Sequence, residues 1–172
     1  MSETALTATR RELRPGLIAR FAGAFCDADF SRAIALSSML LGAVSGLVIG
    51  LWSFGGPFPE PAWVGSYSEL PRRLIRLAHI ALFALGMINL MLARQHAGID
   101  LPEQATRLAL AAMNVGTLLM PALLFATVFL PAAKYLLAVP ALAVTLALAI
   151  AATGGWRQWR LRSKPEDPRR TS

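Results

Sequence analysis

The sequence predicts an all-α integral membrane protein, a four-helix bundle with a short N-terminal interfacial amphipathic helix. Hydrophobic residues make up 55% of the 172 residues and charged residues only 16%, whereas a soluble domain carries about a quarter charged residues. Four apolar stretches each reach or approach the roughly 20 residues that cross a bilayer core of about 30 Å as a helix. The short alternating segments that are typical of a membrane β-barrel are absent from the sequence.

The apolar stretches and the polar segments between them form one predicted membrane domain, residues 1–172. Because Lys134 follows Pro131 closely, the last two spans are expected to be antiparallel neighbours. The predicted segments are a cytoplasmic N-terminal segment (1–32), a first span (33–54), an outer loop (55–73), a second span (74–94), an inner loop (95–107), a third span (108–131), a fourth span (134–156) and a basic cytoplasmic tail (157–172).

The interfacial helix is predicted from GLIARFAGAF, residues 16–25. Leu17, Ile18, Phe21 and Phe25 share one helical face, while arginines lie near the other. A helix of this kind lies along the headgroups with its apolar face toward the acyl chains. It either anchors the chain to lipid or serves as a docking arm for a partner.

The distribution of Lys and Arg predicts the orientation of the spans. Thirteen of the 17 belong to the N-terminal segment, the tail, and the loop 95–107 together with Arg94 at its edge, and the other four lie on the opposite side. Since cytoplasmic loops carry the excess of Lys and Arg, both termini are predicted to be cytoplasmic, in a cell inner membrane. This asymmetry and anionic lipids account for the net charge of +7, and no nucleic-acid-binding motif accompanies it.

The first span carries a ladder of small residues, one at every fourth position: Ser38, Gly42, Gly46 and Gly50. Such a ladder lets the backbone of another helix approach closely. Two interpretations stay open. The ladder packs against a helix of this chain, or it binds a protein partner or a second copy of the chain.

Polar groups inside the second and third spans are the candidate functional residues. Arg76 and His79 lie one turn apart on one face, and an ionisable residue inside a span indicates a functional site by default. Asn89 and Asn114 lie at similar depths in neighbouring spans, so a hydrogen bond of about 1 kcal/mol between their amides is expected. Thr117 shares a helical face with Asn114.

His79 leads to two cofactor hypotheses beside a purely structural hydrogen bond. A haem b would take the imidazole as an axial ligand, and Met120, at a similar depth in the third span, is the candidate second ligand. A quinone would use His79 together with Arg76. The structural interpretation needs no cofactor, and no metal site is predicted.

The outer loop carries Phe58, Trp63 and Tyr67 between prolines and glycines. Rings at this position form an aromatic belt at the headgroups. A second interpretation is a lid over the outer mouth of the bundle or a platform for a partner.

No established catalytic motif occurs, and no Asp or Glu lies inside a span. The serines of the first span, Ser37, Ser38 and Ser45, lack an evident base, so no catalytic residue is predicted. The ladder and the aromatic loop favour an accessory or assembly subunit that acts by helix–helix association within a larger membrane complex. The alternatives are a haem- or quinone-linked electron-transfer subunit that uses His79, and a transporter of an apolar or neutral solute.

Overall fold

The computed structural model describes residues 23–53, 55–98 and 101–163, and these residues form four long α-helices without a strand. The helices are α1 (Ala28–Gly50), α2 (Leu70–Gln95), α3 (Glu103–Phe129) and α4 (Ala138–Arg162). All four are long and apolar enough to cross a membrane. The predicted all-α membrane bundle is therefore confirmed. The predicted interfacial helix falls mainly before Gly23, outside the described residues.

The helix α1 begins five residues before the predicted span because a side chain caps it. Asp27 Oδ1 accepts hydrogen bonds of 2.9 Å from the backbone N–H groups of Asp29 and Phe30. These are donors that lack partners in the first turn of any helix. The helix therefore includes a polar first turn that the apolar run does not reveal. It ends at Gly50.

The helices α2 and α3 also extend beyond their apolar runs. In α2, Pro71 lies in the first turn, where its missing N–H costs nothing, and a 3-10 helix at His96–Gly98 follows the last turn. In α3, the helix starts at Glu103 and continues through Pro121 to Phe129.

The fourth span begins differently from the prediction. Pro131–Leu137 forms a 3-10 helix, and the α-helix starts only at Ala138. Pro140 therefore lies in the first turn of α4, where a proline fits without breaking a helical hydrogen bond. The helix then continues to Arg162, so part of the basic tail is helical.

The helices pack mainly on their neighbours in the sequence: α1 on α2, α2 on α3 and α3 on α4, and α1 also contacts α3. We call the end where α1 begins and α4 ends the N/C end, and the opposite end, where residues 51–69 connect α1 to α2, the loop end. The buried hydrophobic cluster lies toward the N/C end of α2 and α3. Its members are Leu92, Ala93, Ala109, Leu110, Ala112, Met113 and Ala147.

Candidate functional site

An apolar groove of about 780 Å³ lies between α1, α2 and α3. Along α1 its wall runs from Phe30 to Ile49, which is about 28 Å at 1.5 Å per residue. On α2 and α3 the wall is confined to the loop-end halves, residues 75–82 and 117–125. The volume is in the range of pockets that bind small molecules, about 300–1,000 Å³.

The groove is open at its side. Three wall residues, Leu41, Leu118 and Phe125, are 57%, 43% and 46% exposed. In a membrane this opening faces acyl chains, because α1 and α3 are both spanning helices. An apolar molecule dissolved in the bilayer can therefore enter the groove without crossing water.

His79 is the one imidazole on the described groove wall, and Ser45 of α1 holds it. Ser45 Oγ lies 3.0 Å from His79 Nδ1 and 2.9 Å from the carbonyl oxygen of Gly42. The second ring nitrogen, Nε2, has no hydrogen-bond partner among the described residues. The pair thus fixes the ring through one nitrogen and leaves the other for a further contact.

Gly46 provides the space for this imidazole. A Cβ built on Gly46 would lie 2.7 Å from His79 Cε1, closer than real Cβ contacts allow. The ladder residue Gly42 has a similar role one turn earlier, where a Cβ would lie 3.2 Å from the backbone nitrogen of Phe83. The close approach of α1 to α2 therefore positions His79.

The small residues of the ladder, except Gly50, pack against another helix of the same chain. Ser38 donates a hydrogen bond of 2.7 Å to the Leu82 carbonyl on α2, and Gly42 and Gly46 contact the same helix. A Cβ on Gly50 would meet nothing within 4 Å. Three of the four small residues thus lie against α2.

The two asparagines form a buried node that joins three helices. Asn89 Nδ2 donates a bond of 2.8 Å to Asn114 Oδ1. Asn114 Nδ2 donates bonds of 2.9 Å to Ser31 Oγ and to the Phe25 carbonyl. Asn89 Oδ1 is buried and has no partner among the described residues. The expected bond between the asparagines is present, and it lies at the N/C end of the groove.

Thr117 lies on the groove wall but its hydroxyl is already used. It donates a bond of 2.8 Å to the Met113 carbonyl one turn earlier in α3. It shares a face with Asn114, as the spacing indicates, and it offers a ligand only the remaining lone pairs of its oxygen.

Aromatic side chains close the loop end of the groove. Trp52 and Trp63 both line it, and the Trp63 ring packs against Phe129 with 5.4 Å between centroids. Phe125 in turn packs edge-on against Phe129 at 5.5 Å. The outer loop thus contributes a wall of the groove, in addition to any role at the headgroups.

The Arg76 guanidinium packs against Tyr67 of the outer loop. It lies over the Tyr67 ring at 4.1 Å from the centroid, and Arg72 forms an ion pair with Glu60. Neither arginine lines the groove. The guanidinium of Arg76 therefore lies outside the groove wall that carries His79.

Met120 is not among the residues of α3 that line the groove. These are Thr117, Leu118, Pro121, Ala122 and Phe125. No methionine lines the groove within the described residues. The groove thus offers a haem iron one ligand, His79, and does not place Met120 opposite it.

The contact between Ser45 and His79 corrects the expectation that the serines of the first span lack a base. A serine beside an imidazole is the core of a nucleophilic dyad. Acyl transfer also needs donors that stabilise an oxyanion. Ser45 lies inside α1, where the surrounding backbone N–H groups already bond within the helix. The geometry therefore favours a binding role for this pair.

Sequence reasoning identified His79 but missed Ser45 as its partner. The two residues are 34 positions apart, so only the register of α1 against α2 reveals the contact. A usable signal was the ladder itself, because Gly46 marks the point of closest approach and Ser45 is its neighbour.

Comparisons of the chain with protein-family models, with curated proteins and with solved structures return no match. Interpretation of the site therefore depends on its own geometry.

Proposed function

We propose that the protein is a membrane-embedded subunit that binds a lipid-soluble compound of the quinone class in the groove. The observation that carries this proposal is the pairing of an apolar cavity open to the bilayer with an imidazole nitrogen on its wall, His79 Nε2, that has no hydrogen-bond partner among the described residues. Pockets for apolar ligands typically combine a hydrophobic lining with a few polar groups that orient the head of the molecule.

The dimensions of the groove suit a ring with a long apolar tail. His79 lies nine residues into α2, about 14 Å from its loop end, so the head group would be in the loop-end half. Trp52 and Trp63 provide faces for stacking beyond it. Toward Phe30 the wall is apolar except for serine hydroxyls, and this part would hold the tail.

Electron exchange with such a ring needs a redox partner, so we also propose that the protein works as an accessory subunit of a larger membrane complex. The contacts of the ladder bear on where a partner would bind. Because Ser38, Gly42 and Gly46 lie against α2, a partner or second copy would use a different face of α1.

We further propose an inner-membrane location with both termini cytoplasmic, on the basis of the excess of Lys and Arg at the N/C end. In this orientation His79 and the α2 and α3 walls of the groove lie in the outer half of the bilayer. Reporter fusions after Ser172 and within the loop 55–69 are expected to report a cytoplasmic and an external location respectively.

Ligand binding is tested by tryptophan fluorescence in lipid nanodiscs. The variant Trp156→Phe/Trp159→Phe keeps only Trp52 and Trp63, both on the groove wall, as emitters. Titration with a short-tailed benzoquinone is expected to quench this emission to a plateau. Simple collision with quinone in the bilayer gives a quenching that rises without saturation.

A matched pair of alanines provides the control. Ala122→Phe fills the groove and is expected to weaken binding about tenfold, since overpacking costs about 1–3 kcal/mol. Ala149→Phe adds the same ring to an exposed face of α4 and should leave binding unchanged. Equal quenching in the two variants would contradict the proposal. A Soret band in the purified protein that is lost in His79→Gln would favour the haem hypothesis instead.

A further inference from the structure

The hydroxyl of Ser45 has one hydrogen and two neighbouring acceptor positions. Gly42 O lies 2.9 Å away and His79 Nδ1 lies 3.0 Å away. If the hydroxyl donates to Gly42 O, its oxygen accepts a hydrogen bond from Nδ1–H. If it donates to Nδ1, the contact with Gly42 O carries no hydrogen bond. The two arrangements therefore differ by one bond.

The first arrangement also sets the tautomer of His79. A neutral imidazole carries one N–H, so a proton on Nδ1 leaves Nε2 with a lone pair. In this arrangement Nε2 accepts hydrogen bonds and does not donate them. In the second arrangement the proton is on Nε2, which then donates.

The apolar surroundings of His79 increase the free-energy difference between the two arrangements. The wall near His79 is formed by aliphatic and aromatic side chains such as Val48, Ile75 and Leu82. A hydrogen bond gains strength in a low-dielectric site, and no competing water replaces a lost one as it would at a surface. The arrangement that keeps both serine contacts is therefore the resting state of the pair.

We propose that the groove discriminates between the two redox forms of its ligand and binds the hydroxyl-bearing hydroquinone in preference to the quinone. This inference rests on the proposed function. A hydroquinone O–H donates to Nε2 and leaves the Gly42–Ser45–His79 chain intact. A quinone carbonyl bound at His79 accepts a hydrogen bond only when the proton is on Nε2, and that arrangement removes the bond from Ser45 to Gly42.

The expected preference is the value of one hydrogen bond, about fivefold in dissociation constant. Ser45 is in this account a positioning residue, because it acts on the ligand through His79. Removal of the Ser45 hydroxyl abolishes the preference for hydroquinone over quinone, because an imidazole without a partner at Nδ1 adopts either tautomer.

The experiment measures the dissociation constants of a short-tailed benzoquinone and of the corresponding hydroquinone by isothermal titration calorimetry. The full chain is held in nanodiscs, and the hydroquinone is kept reduced under anaerobic conditions. Ser45→Ala is compared with Thr145→Val, which removes a hydroxyl from the exposed face of α4, outside the groove wall.

Wild type and Thr145→Val are expected to bind the hydroquinone about fivefold more tightly than the quinone, and Ser45→Ala to bind the two forms equally. A purely structural role of Ser45 would weaken both forms by the same factor and leave the ratio unchanged, which overturns the inference. Equal binding of both forms by wild type overturns it as well while the proposed function stands. Binding of neither form overturns both.

Discussion

The two halves of the bundle differ in how their polar groups are used. At the N/C end, Asn114 bonds to Asn89 on α2 and to Ser31 on α1, and the buried hydrophobic cluster lies beside this node. At the loop end, α1 and α3 flank an open groove, and one ring nitrogen of His79 has no partner within the described part of the chain.

The N/C end of the bundle is held by hydrogen bonds between helices, whereas the loop end contains the open groove. The asparagine node holds α1, α2 and α3 together at one end, because a polar side chain inside a membrane is costly without partners. The loop end has no equivalent bond between α1 and α3 among the described residues, and aromatic packing of Trp63 on Phe129 closes the groove there instead. The α2 and α3 walls of the groove thus lie in the half that carries His79.

The largest effect is expected from Asn114→Ala. This change removes all three hydrogen bonds of the node and leaves Asn89 Nδ2 buried without an acceptor. We expect a loss of about 2 kcal/mol in the free energy of unfolding, from bonds of about 0.6–1 kcal/mol each. Thermal unfolding in detergent measures it. Thr145→Val is the control, because its hydroxyl bonds only to Ala141 O within α4. A loss no larger than that of the control would show that the N/C end does not depend on the node.

A smaller effect is expected from Gly46→Ala. The added methyl group conflicts with the His79 ring and moves it from Ser45, at a cost of about 1 kcal/mol. Gly50→Ala is a matched control, since a Cβ there meets nothing within 4 Å. Circular dichroism melts of the two variants give the comparison. If Gly50→Ala destabilises the protein as much as Gly46→Ala, the ladder has no special contact at His79.

The smallest effect is expected from Glu60→Gln at the loop end. The change breaks the ion pair with Arg72, but Glu60 is partly exposed and such pairs are worth about 0.5 kcal/mol. Proteolysis within the loop 55–69 should become slightly faster, and the overall melting temperature should stay nearly constant. A large drop in melting temperature would mean that the loop end is as tightly held as the N/C end.

These contrasts also show what the sequence was able to predict. The four spans follow from apolar length alone, and the bond between Asn89 and Asn114 follows from their matching depths in adjacent helices. Both depend on distances along single helices, which a rise of 1.5 Å per residue provides. The ends of the helices were harder to predict from the sequence. The cap at Asp27 and the 3-10 helix at Pro131–Leu137 are local features that the apolar runs do not reveal.

The site itself was only partly predictable. His79 stands out as an imidazole at depth, but its partner depends on how α1 is rotated against α2. Arg76 shares its helical face, yet Tyr67 lies close enough to bind the guanidinium over its ring. The groove arises from the separation of α1 and α3, which no spacing within one helix encodes.

The most direct test of the account is to map where an apolar ligand lies in the membrane-embedded protein. A benzoquinone with a diazirine on its tail is photolysed in nanodiscs, and the labelled residues are identified by mass spectrometry, with and without excess unlabelled quinone. We predict labelling of groove residues such as Ile34, Leu41 and Leu118 that the competitor suppresses, and weak unsuppressed labelling of Leu142 on α4. Labelling that is equal on the groove and on α4, and insensitive to the competitor, would contradict the claim that the loop-end half is a binding site.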